Sequence, residues 1–341
     1  MDTAVVILNW NGRSMLRRFL PKVLECTPNA SVIIADNAST DGSVSMLHEQ
    51  FAGVGVIELD RNYGFAEGYN QALKHVDAKY YMLLNSDVEV CDGWLEPLVG
   101  FLDANDGYCS CQPKLLSWHD RDSFEYAGAC GGYIDKYGYP FCRGRIFGTV
   151  EHDDGQYDTV RDVLWTTGAC MLIRSDDFWH AGGFDGRFFA HNEEIDLCWR
   201  LRLMGRRLAC VPQSKVWHIG GGTLPKGNPM KTYLNFRNNL TMVYKNTDDD
   251  KLAHVMRVRR VLDYIAAAQM ALKCDWDDFK AVLKARRDFS RWMADFAPQR
   301  TEIQRRRVVD EIEEVYDRSL ILDYYMRGRK LFSQLPVAVD A

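Results

Sequence analysis

Three carboxylates stand together in Glu193-Glu194-Ile195-Asp196, just ahead of Leu197, Cys198, Trp199 and Leu201, whose apolar side chains would hold a helix against a core. Acidic residues favour the first turn of a helix, and for Glu193 that alone is a sufficient reason. Clustered like charges also raise one another's proton affinity, which suits a general base that takes a proton from a hydroxyl near neutral pH. Glu194 is the candidate for that role, with Glu193 the alternative and Asp196 the third member. Asn85-Ser86-Asp87 follows the apolar run Met82-Leu83-Leu84. Asp87 therefore emerges at a strand end, where a hard cation can bridge it to a pyrophosphate, with Asn85 and Ser86 beside it. A solvated turn would use the same letters. His218 ends the run Val216-Trp217-His218, before Ile219-Gly220-Gly221-Gly222-Thr223. It reads equally as a structural histidine or as a contact to metal or diphosphate, since neutral imidazole can complete an oxygen-rich site.

A nucleotide-diphosphate donor also needs groups for its base and ribose. The segments after the early apolar runs are polar: Asn9-Trp10-Asn11-Gly12, Asp36-Asn37-Ala38-Ser39-Thr40-Asp41-Gly42 and Arg61-Asn62-Tyr63-Gly64. Asp36, at a strand end, can accept from a base N–H or a ribose hydroxyl, whereas Asp41-Gly42 reads as the turn and cap of the next helix. Gly64 precedes a helix carrying Asn70, so its N-terminal amides could face phosphate or nucleoside. No G-x-G-x-x-G follows any early strand, which removes most support for a dinucleotide-dependent dehydrogenase.

These groups need a frame. Strand-length apolar runs at 4–8, 31–35, 54–59 and 80–84 alternate with helical patterns at 13–25, 43–50, 65–76 and 94–102. That alternation specifies right-handed βαβ units, a parallel sheet, and a ligand site beyond the strands' carboxyl ends. Residues 117–163 are irregular and rich in Gly, Tyr and Asp, and are expected to form binding loops. A strand is expected at 169–173, a helix at 193–204 and a strand at 208–211. From about Pro229 the pattern is helical, with Ile312, Val315, Tyr316 and Leu320 at i, i+3, i+4 spacing. The expected division is a catalytic domain over 1–228 and a helical region over 229–341, the latter associating with membrane or partner in one reading. Ten Lys or Arg between Lys251 and Arg291 fit either a solvated helical bundle or a basic amphipathic surface for anionic lipid.

The charge, 42 basic against 47 acidic residues for a net −5, argues against nucleic acid as the main partner. The N-terminus shows no basic n-region or cleavage site, so a cytoplasmic location is expected. Ten scattered cysteines read as reduced thiols, and the Cys109–Cys111 pair as part of a strand rather than a zinc site.

Taken together, the motifs resemble family 2 glycosyltransferases of the GT-A fold, particularly the rhamnosyltransferase-like branch of bacterial surface-polysaccharide assembly. The resemblance spans about residues 3–245. It is carried by residues 6–12, 36–42, 62–65, 84–87, Thr167-Gly168-Ala169 and 193–200, in that order. The resemblance implies an inverting, metal-dependent transfer from a UDP- or dTDP-type nucleotide-diphospho-sugar to a saccharide or lipid-linked saccharide acceptor, with Mg²⁺ or Mn²⁺ as cofactor. Peripheral contact with the inner face of the cell membrane is the alternative to a solvated bundle for the basic helical region. The resemblance also implies that Asp36 reads the base, that Asp87 ends the family's Asp-x-Asp metal motif with His218 near the metal, and that the 193–196 cluster holds the base. Two positions depart from the family: Asn85 replaces the motif's first aspartate, and Glu194 stands where many relatives carry Asp. Asn9, Asn11, Asp36, Asn62, Gly64, Asn70, Asn85 and Ser86 are the expected donor contacts. Trp165, Thr167 and Gly168 are the expected acceptor side. A catalytically silent nucleotide-sugar binding module and a sugar nucleotidyltransferase are the alternatives, and the oligomeric state is left open.

Overall fold

The computed structural model describes residues 2–220 and 227–336; residues 221–223 of the glycine segment lie outside the described residues. Helices and strands alternate as β1 (Thr3–Asn9), α1 (Arg13–Glu25), β2 (Ser31–Asp36), α2 (Ser43–Gln50), β3 (Gly55–Glu58), α3 (Gly64–Leu73), β4 (Tyr80–Leu84), β5 (Val88–Glu89), α4 (Glu96–Ala104) and β6 (Tyr108–Ser117). Short strands follow, namely β7 (Gly132–Asp135), β8 (Pro140–Cys142), β9 (Arg145–Ile146), β10 (Thr149–Val150) and β11 (Arg161–Asp162). Then come β12 (Cys170–Arg174), α5 (Ser175–His180), α6 (Glu193–Leu203), β13 (Arg207–His218), α7 (Pro229–Asn246), α8 (Asp249–Leu272), α9 (Trp276–Arg305) and β14 (Val315–Tyr316).

The main sheet has the order β11-β13-β6-β12-β4-β1-β2-β3, with β5 paired to β13. β1 runs parallel to β2 and β4, and β2 to β3, while β12 is antiparallel to both β4 and β6. The early strands read as unbroken apolar runs because both faces are covered. Val5, Ile7, Val32 and Ile34 join a core with Leu16 and Leu20 of α1, Met46 of α2 and Leu98 of α4. Ala4 and Val6, one residue out of phase, join Tyr69 and Leu73 of α3 and Leu197 and Leu201 of α6 on the other face.

Two expectations are corrected. Residues 117–163 hold most of a second sheet, β10-β9-β8-β7-β14, in which strands of two to four residues are too short to show alternation. Its last strand comes from 312–320, where a helix was expected: Val315 pairs with Ile134 and Tyr316 with Asp135 in parallel. The spacing there records burial of Tyr316 and Leu320 against this sheet, and long-range pairing overrides the local pattern. The strand expected at 208–211 is the beginning of the longer β13, whose pairing with β6 is irregular between Cys210 and Lys215, around Pro212. That extension carries His218 to the mouth of the sheet. Cys109 and Cys111 lie buried in β6.

The C-terminal helices are joined to the catalytic sheet by buried charge. Lys245 of α7 is fully buried, its Nζ 2.9 Å from Asp185 Oδ2 and 2.8 Å from Asp196 Oδ2. Arg200 Nε reaches the same Asp196 oxygen at 3.0 Å, and Asn246 Nδ2 donates to Asp196 Oδ1 at 2.9 Å. The Lys245 ammonium outweighs the effect of burial and holds the Asp185 carboxyl well below the usual range. Two of the ten basic residues of the helical region point inward as well: Arg259 and Arg286 share the buried Asp263. No helix among the described residues is long and apolar enough to cross a membrane. Removing one partner of a buried ion pair strands the other charge, at a cost of about 3–5 kcal/mol. Lys245→Met is expected to lose that much in urea unfolding monitored by circular dichroism; a loss below about 1 kcal/mol would show that the network does not tie α7 to α6.

Candidate active site

A cleft of about 500 Å³ opens at the carboxyl ends of the central strands. Asn85, Asp87, Trp165, Thr167, Gly168, Glu193, Glu194 and His218 line it, so eight of the expected site residues come together there.

One wall is Asp87 and His218, delivered by the turn after β4 and the end of β13. His218 Nε2 lies 3.1 Å from Asp87 Oδ1 and 3.5 Å from Asn85 Nδ2. Its Nδ1 lies 3.4 Å from Glu125 Oε1. Burial pulls the imidazole pKa down, but the Glu125 and Asp87 carboxylates outweigh it and push it up to about 10. Glu125, buried in the segment after β6, is a member of the site that the sequence showed only as part of an aromatic loop. Among the described residues no three His, Cys, Asp or Glu side chains group as a metal cage. The chemistry of the pair nevertheless fits a cation that keeps few protein ligands: a carboxylate oxygen and an imidazole nitrogen face each other, leaving the remaining positions to substrate phosphate and water.

The opposite wall is the start of α6. Glu193 is buried and Glu194 partly so, and Oε2 of each has no hydrogen-bond partner. Burial pushes the Glu194 carboxyl up to about 7. Burial and then the neighbouring Glu194 charge raise Glu193 well above the carboxylate range. The Glu194 side chain lies beside Gly168, where an added Cβ would sit 3.7 Å from its own Cβ. The approach to α6 is strained: Phe189, His191 and Asn192 have φ of 66°, 72° and 68°. Asn238 of α7 holds this segment, its Nδ2 donating to the carbonyls of Phe188 at 2.9 Å, Ala190 at 2.8 Å and His191 at 2.8 Å. Arg237 adds bonds to the Arg187 and Phe188 carbonyls. His191 also lines the cleft, with its Nε2 unpartnered and its pKa lowered to about 4 by burial and then by the Lys231 charge. A run of polar residues, Arg237-Asn238-Asn239, within an otherwise apolar-faced helix is the sequence signal for this clamp.

Three expected site residues serve other ends. Asp196 is consumed by Lys245, Arg200 and Asn246 and faces away from the cleft, so it positions the helix and is not a base. Asn70 exchanges bonds with the Phe184 backbone, donating at 2.8 Å and accepting at 3.0 Å. Gly64 (φ 78°) admits Phe189, whose ring an added Cβ would meet at 2.4 Å. The amides at the start of α3 are likewise taken: Phe65 N and Ala66 N donate to the Phe189 carbonyl at 2.7 and 3.2 Å, leaving no phosphate cradle there. Asn9, Asn11, Asp36 and Asn62 form a separate polar rim at the ends of β1 to β3. Asn9 Nδ2 donates to Asp36 Oδ2 at 2.8 Å, Ser39 N to Asp36 Oδ1 at 2.8 Å, Thr40 N to Asn11 Oδ1 at 2.8 Å and Gly64 N to Asn62 Oδ1 at 2.8 Å. Ser86, partly exposed, sits between this rim and Asp87. On the acceptor side, Trp165 Nε1 donates to the Tyr133 carbonyl at 3.0 Å and Thr167 Oγ1 to the Ala127 carbonyl at 2.6 Å, fixing both side chains in the wall.

An open, mainly parallel sheet with a carboxylate–imidazole pair facing raised carboxyls across its mouth has the architecture of a GT-A glycosyltransferase. Residues 4–127 match the model of glycosyl transferase family 2, and the chain carries a domain of that family. It is 30% identical over 210 residues to the O-antigen biosynthesis protein RfbC of Myxococcus xanthus, covering 60% of this chain and 16% of that protein. It is 28% identical over 233 residues to the N-acetylglucosaminyl-diphospho-decaprenol L-rhamnosyltransferase of Mycobacterium tuberculosis, covering 63% of this chain and 75% of that one. In fold it is similar to GalNAc-T7, solved with UDP, GalNAc and Mn²⁺, with a TM-score of 0.58 at 17% identity over 87% of this chain and 56% of that one.

The raised Glu194 pKa sets a stability test. Below the usual carboxylate range the group is protonated in both folded and unfolded chains and costs nothing. Above about 7 the folded chain carries a buried charge that the unfolded chain solvates freely. Glu194→Gln is therefore expected to stabilise the fold by about 3 kcal/mol at pH 8 and by almost nothing near pH 4. Thermal melts at both pH values check this, and equal shifts at the two would contradict it.

Proposed function

We propose that the protein is an inverting glycosyltransferase that moves a sugar from a nucleotide-diphospho-sugar to a saccharide or lipid-linked saccharide acceptor in surface-polysaccharide assembly, working at the cytoplasmic side of the cell. The observation that carries this reading is the Glu194 carboxylate: an unpartnered oxygen, a proton affinity near neutrality, and a place across the cleft from Asp87 and His218. Family membership and the relatives named for rhamnosyl transfer support it.

In this reading the polar rim of Asn9, Asn11, Asp36 and Asn62, with Ser86, takes the nucleoside. The diphosphate lies toward Asp87 and His218, which would hold Mg²⁺ or Mn²⁺. A bound cation supplies charge neutralisation for the departing diphosphate. Glu194 accepts the proton of the acceptor hydroxyl as that oxygen attacks the anomeric carbon from the face opposite the nucleotide. The C–O bond to the acceptor forms as the bond to diphosphate breaks, so configuration inverts and no covalent enzyme intermediate arises. Trp165, Thr167 and Gly168 shape the acceptor side. Glu193, protonated beside Glu194, can donate to a sugar oxygen without competing for the proton.

Nucleotide-diphosphate release from a panel of sugar nucleotides, with Mg²⁺, Mn²⁺ or EDTA, tests the reading. Turnover of one donor is expected to require the cation and to fall about a hundredfold or more in both Glu194→Gln and Asp87→Ala. Because the base must be ionised, the rate should rise with pH through about 7 and then level off. Undiminished turnover in Glu194→Gln would remove it from the chemistry, and a chain that neither binds nor turns over any sugar nucleotide would overturn the assignment.

A further inference from the structure

Cys130 and Cys210 meet in the interior, outside the cleft. Both are free thiols without exposed surface, and their sulfurs lie 3.5 Å apart. Cys130 sits just before β7, where its amide donates to the Arg143 carbonyl at 2.9 Å and the Arg143 amide donates to the Gly131 carbonyl at 2.9 Å. Cys210 lies on β13, held between Arg161 of β11 and Gln112 of β6 in the two strand pairings. The close approach depends on Gly131 (φ 99°), where an added Cβ would stand 2.4 Å from Val163 Cγ1 and 3.1 Å from Cys210 Cβ. An S–S bond is about 2.0 Å long, so the two sulfurs need to close by only about 1.5 Å to form one.

A buried guanidinium stands over this pair. Arg143 Nη2 lies 3.3 Å from Cys130 Sγ, and it also donates to the Tyr157 carbonyl at 3.0 Å and the Thr159 carbonyl at 2.9 Å. Cys130 Sγ is 3.3 Å from the same Tyr157 carbonyl. Among the described residues no carboxylate pairs with Arg143, and its Nε has no partner. A cation buried without a counter-charge favours an anion beside it, and the ionisable side chain that Arg143 bonds is Cys130. Burial opposes the thiolate, but the bond from Cys210 and then the Arg143 charge outweigh it and bring the Cys130 thiol below its ordinary range. Burial, reinforced by Cys130, holds the Cys210 thiol well above that range, so the two sulfurs divide into thiolate and thiol. Cys142 is the contrast. It lies 3.4 Å from the Arg145 guanidinium but has no second thiol bonded to it among the described residues, and burial keeps its thiol raised, at about 11.

We propose that Cys130 and Cys210 are a redox-active pair, nucleophile and resolving thiol, which hydrogen peroxide converts to a disulfide. The Cys130 thiolate attacks one peroxide oxygen, the O–O bond breaks, and hydroxide leaves a sulfenic acid on Cys130. Cys210 sulfur then attacks Cys130 sulfur: the S–S bond forms, the S–O bond breaks, and the Cys210 proton leaves with that oxygen as water. Two thiols lose two electrons in all, and one peroxide becomes two waters. A pair without exposed surface suits an oxidant close to water in size and excludes bulky disulfides. The bond has a consequence for the site. β13 continues from Cys210 to His218, and Glu125, 3.4 Å from His218 Nδ1, lies shortly before Cys130 in the chain, so closure ties together the two arms that meet at the imidazole.

Peroxide treatment of the folded full chain tests it. The reduced protein is freed of reductant, its exposed thiols are blocked near pH 7 with N-ethylmaleimide, and hydrogen peroxide is added. Mass mapping of an unreduced digest is expected to show the maleimide on the exposed Cys274 and a peptide pair joined through Cys130 and Cys210, two hydrogens lighter than the free thiols and separated by dithiothreitol. In Cys210→Ser the oxidation should stop at a Cys130 sulfenic acid that dimedone captures, whereas Cys130→Ser should give no adduct at Cys210. Arg143→Gln should slow formation of the link about fivefold, as the thiolate fraction falls and the remaining thiolate becomes more nucleophilic. The mapping itself needs no variant, so it decides the assignment even where a core substitution prevents folding. Oxidation of Met326, which is 77% exposed, reports that peroxide has acted. Cys130 and Cys210 still reduced when Met326 is oxidised, or dimedone captured at Cys210 in place of Cys130, would overturn the pair.

Discussion

The position of the reacting carboxylates depends on one buried cation. Lys245 sits between Asp185 and Asp196, on either side of the strained segment that leads into α6. Unpaired, either aspartate would resist burial. Paired through Lys245, they fix both ends of the approach to Glu193 and Glu194 against α7. Asn238, two turns earlier on the same face of α7, then donates to three carbonyls of the strained segment. Local strain at Phe189, His191 and Asn192 is thus offset by bonds from a helix forty to fifty residues later in the chain. α7 belongs to the catalytic machinery in the positional sense, and a division of the chain at residue 229 cuts through that support.

Charge is distributed unequally across the cleft, and this gives each wall its task. At His218 two carboxylates surround one imidazole, so burial loses to attraction and the group favours a proton or a cation. At the start of α6 burial acts on carboxylates with no cation beside them, so the proton is held until neutral pH. The same Glu194 that is costly to fold is suited to accept a proton because it is costly. Lys245 could have relieved that cost had it reached Glu194, but it pairs with Asp196, two residues further along the same first turn.

Much of this was legible in the residues, and the limits have physical causes. The early βαβ units were readable because each strand is covered on both faces and each helix on one, so hydrophobic period and burial coincide. Asp87, Glu194 and His218 were readable as sharp polar groups at the ends of apolar runs. The second sheet was not, because its strands are two to four residues long and its edge strand comes from about 180 residues away, pairing Val315 with Ile134. Asn70 and Gly64 were misassigned for a related reason. Their letters suit a phosphate turn, but the amides they would offer are claimed by Phe184 and Phe189, residues more than a hundred positions away. Glu125 and Lys245 carried no local pattern at all, since a buried charge is recognisable only beside its partner.

The unsatisfied atoms follow the same geometry. Oε2 of Glu193 and of Glu194 and Nε2 of His191 are buried without partners in one cleft, while the neighbouring clamp leaves almost nothing unmet. A fold that binds three carbonyls with one asparagine a few ångströms away does not lack the means to satisfy a carboxylate. Buried groups left without partners at the start of α6 are the complement of a molecule that brings hydroxyl donors into the cleft, as the proposed acceptor would. The stability given up at those atoms is recoverable only when such a molecule enters, so the same groups that weaken the empty protein supply its selectivity.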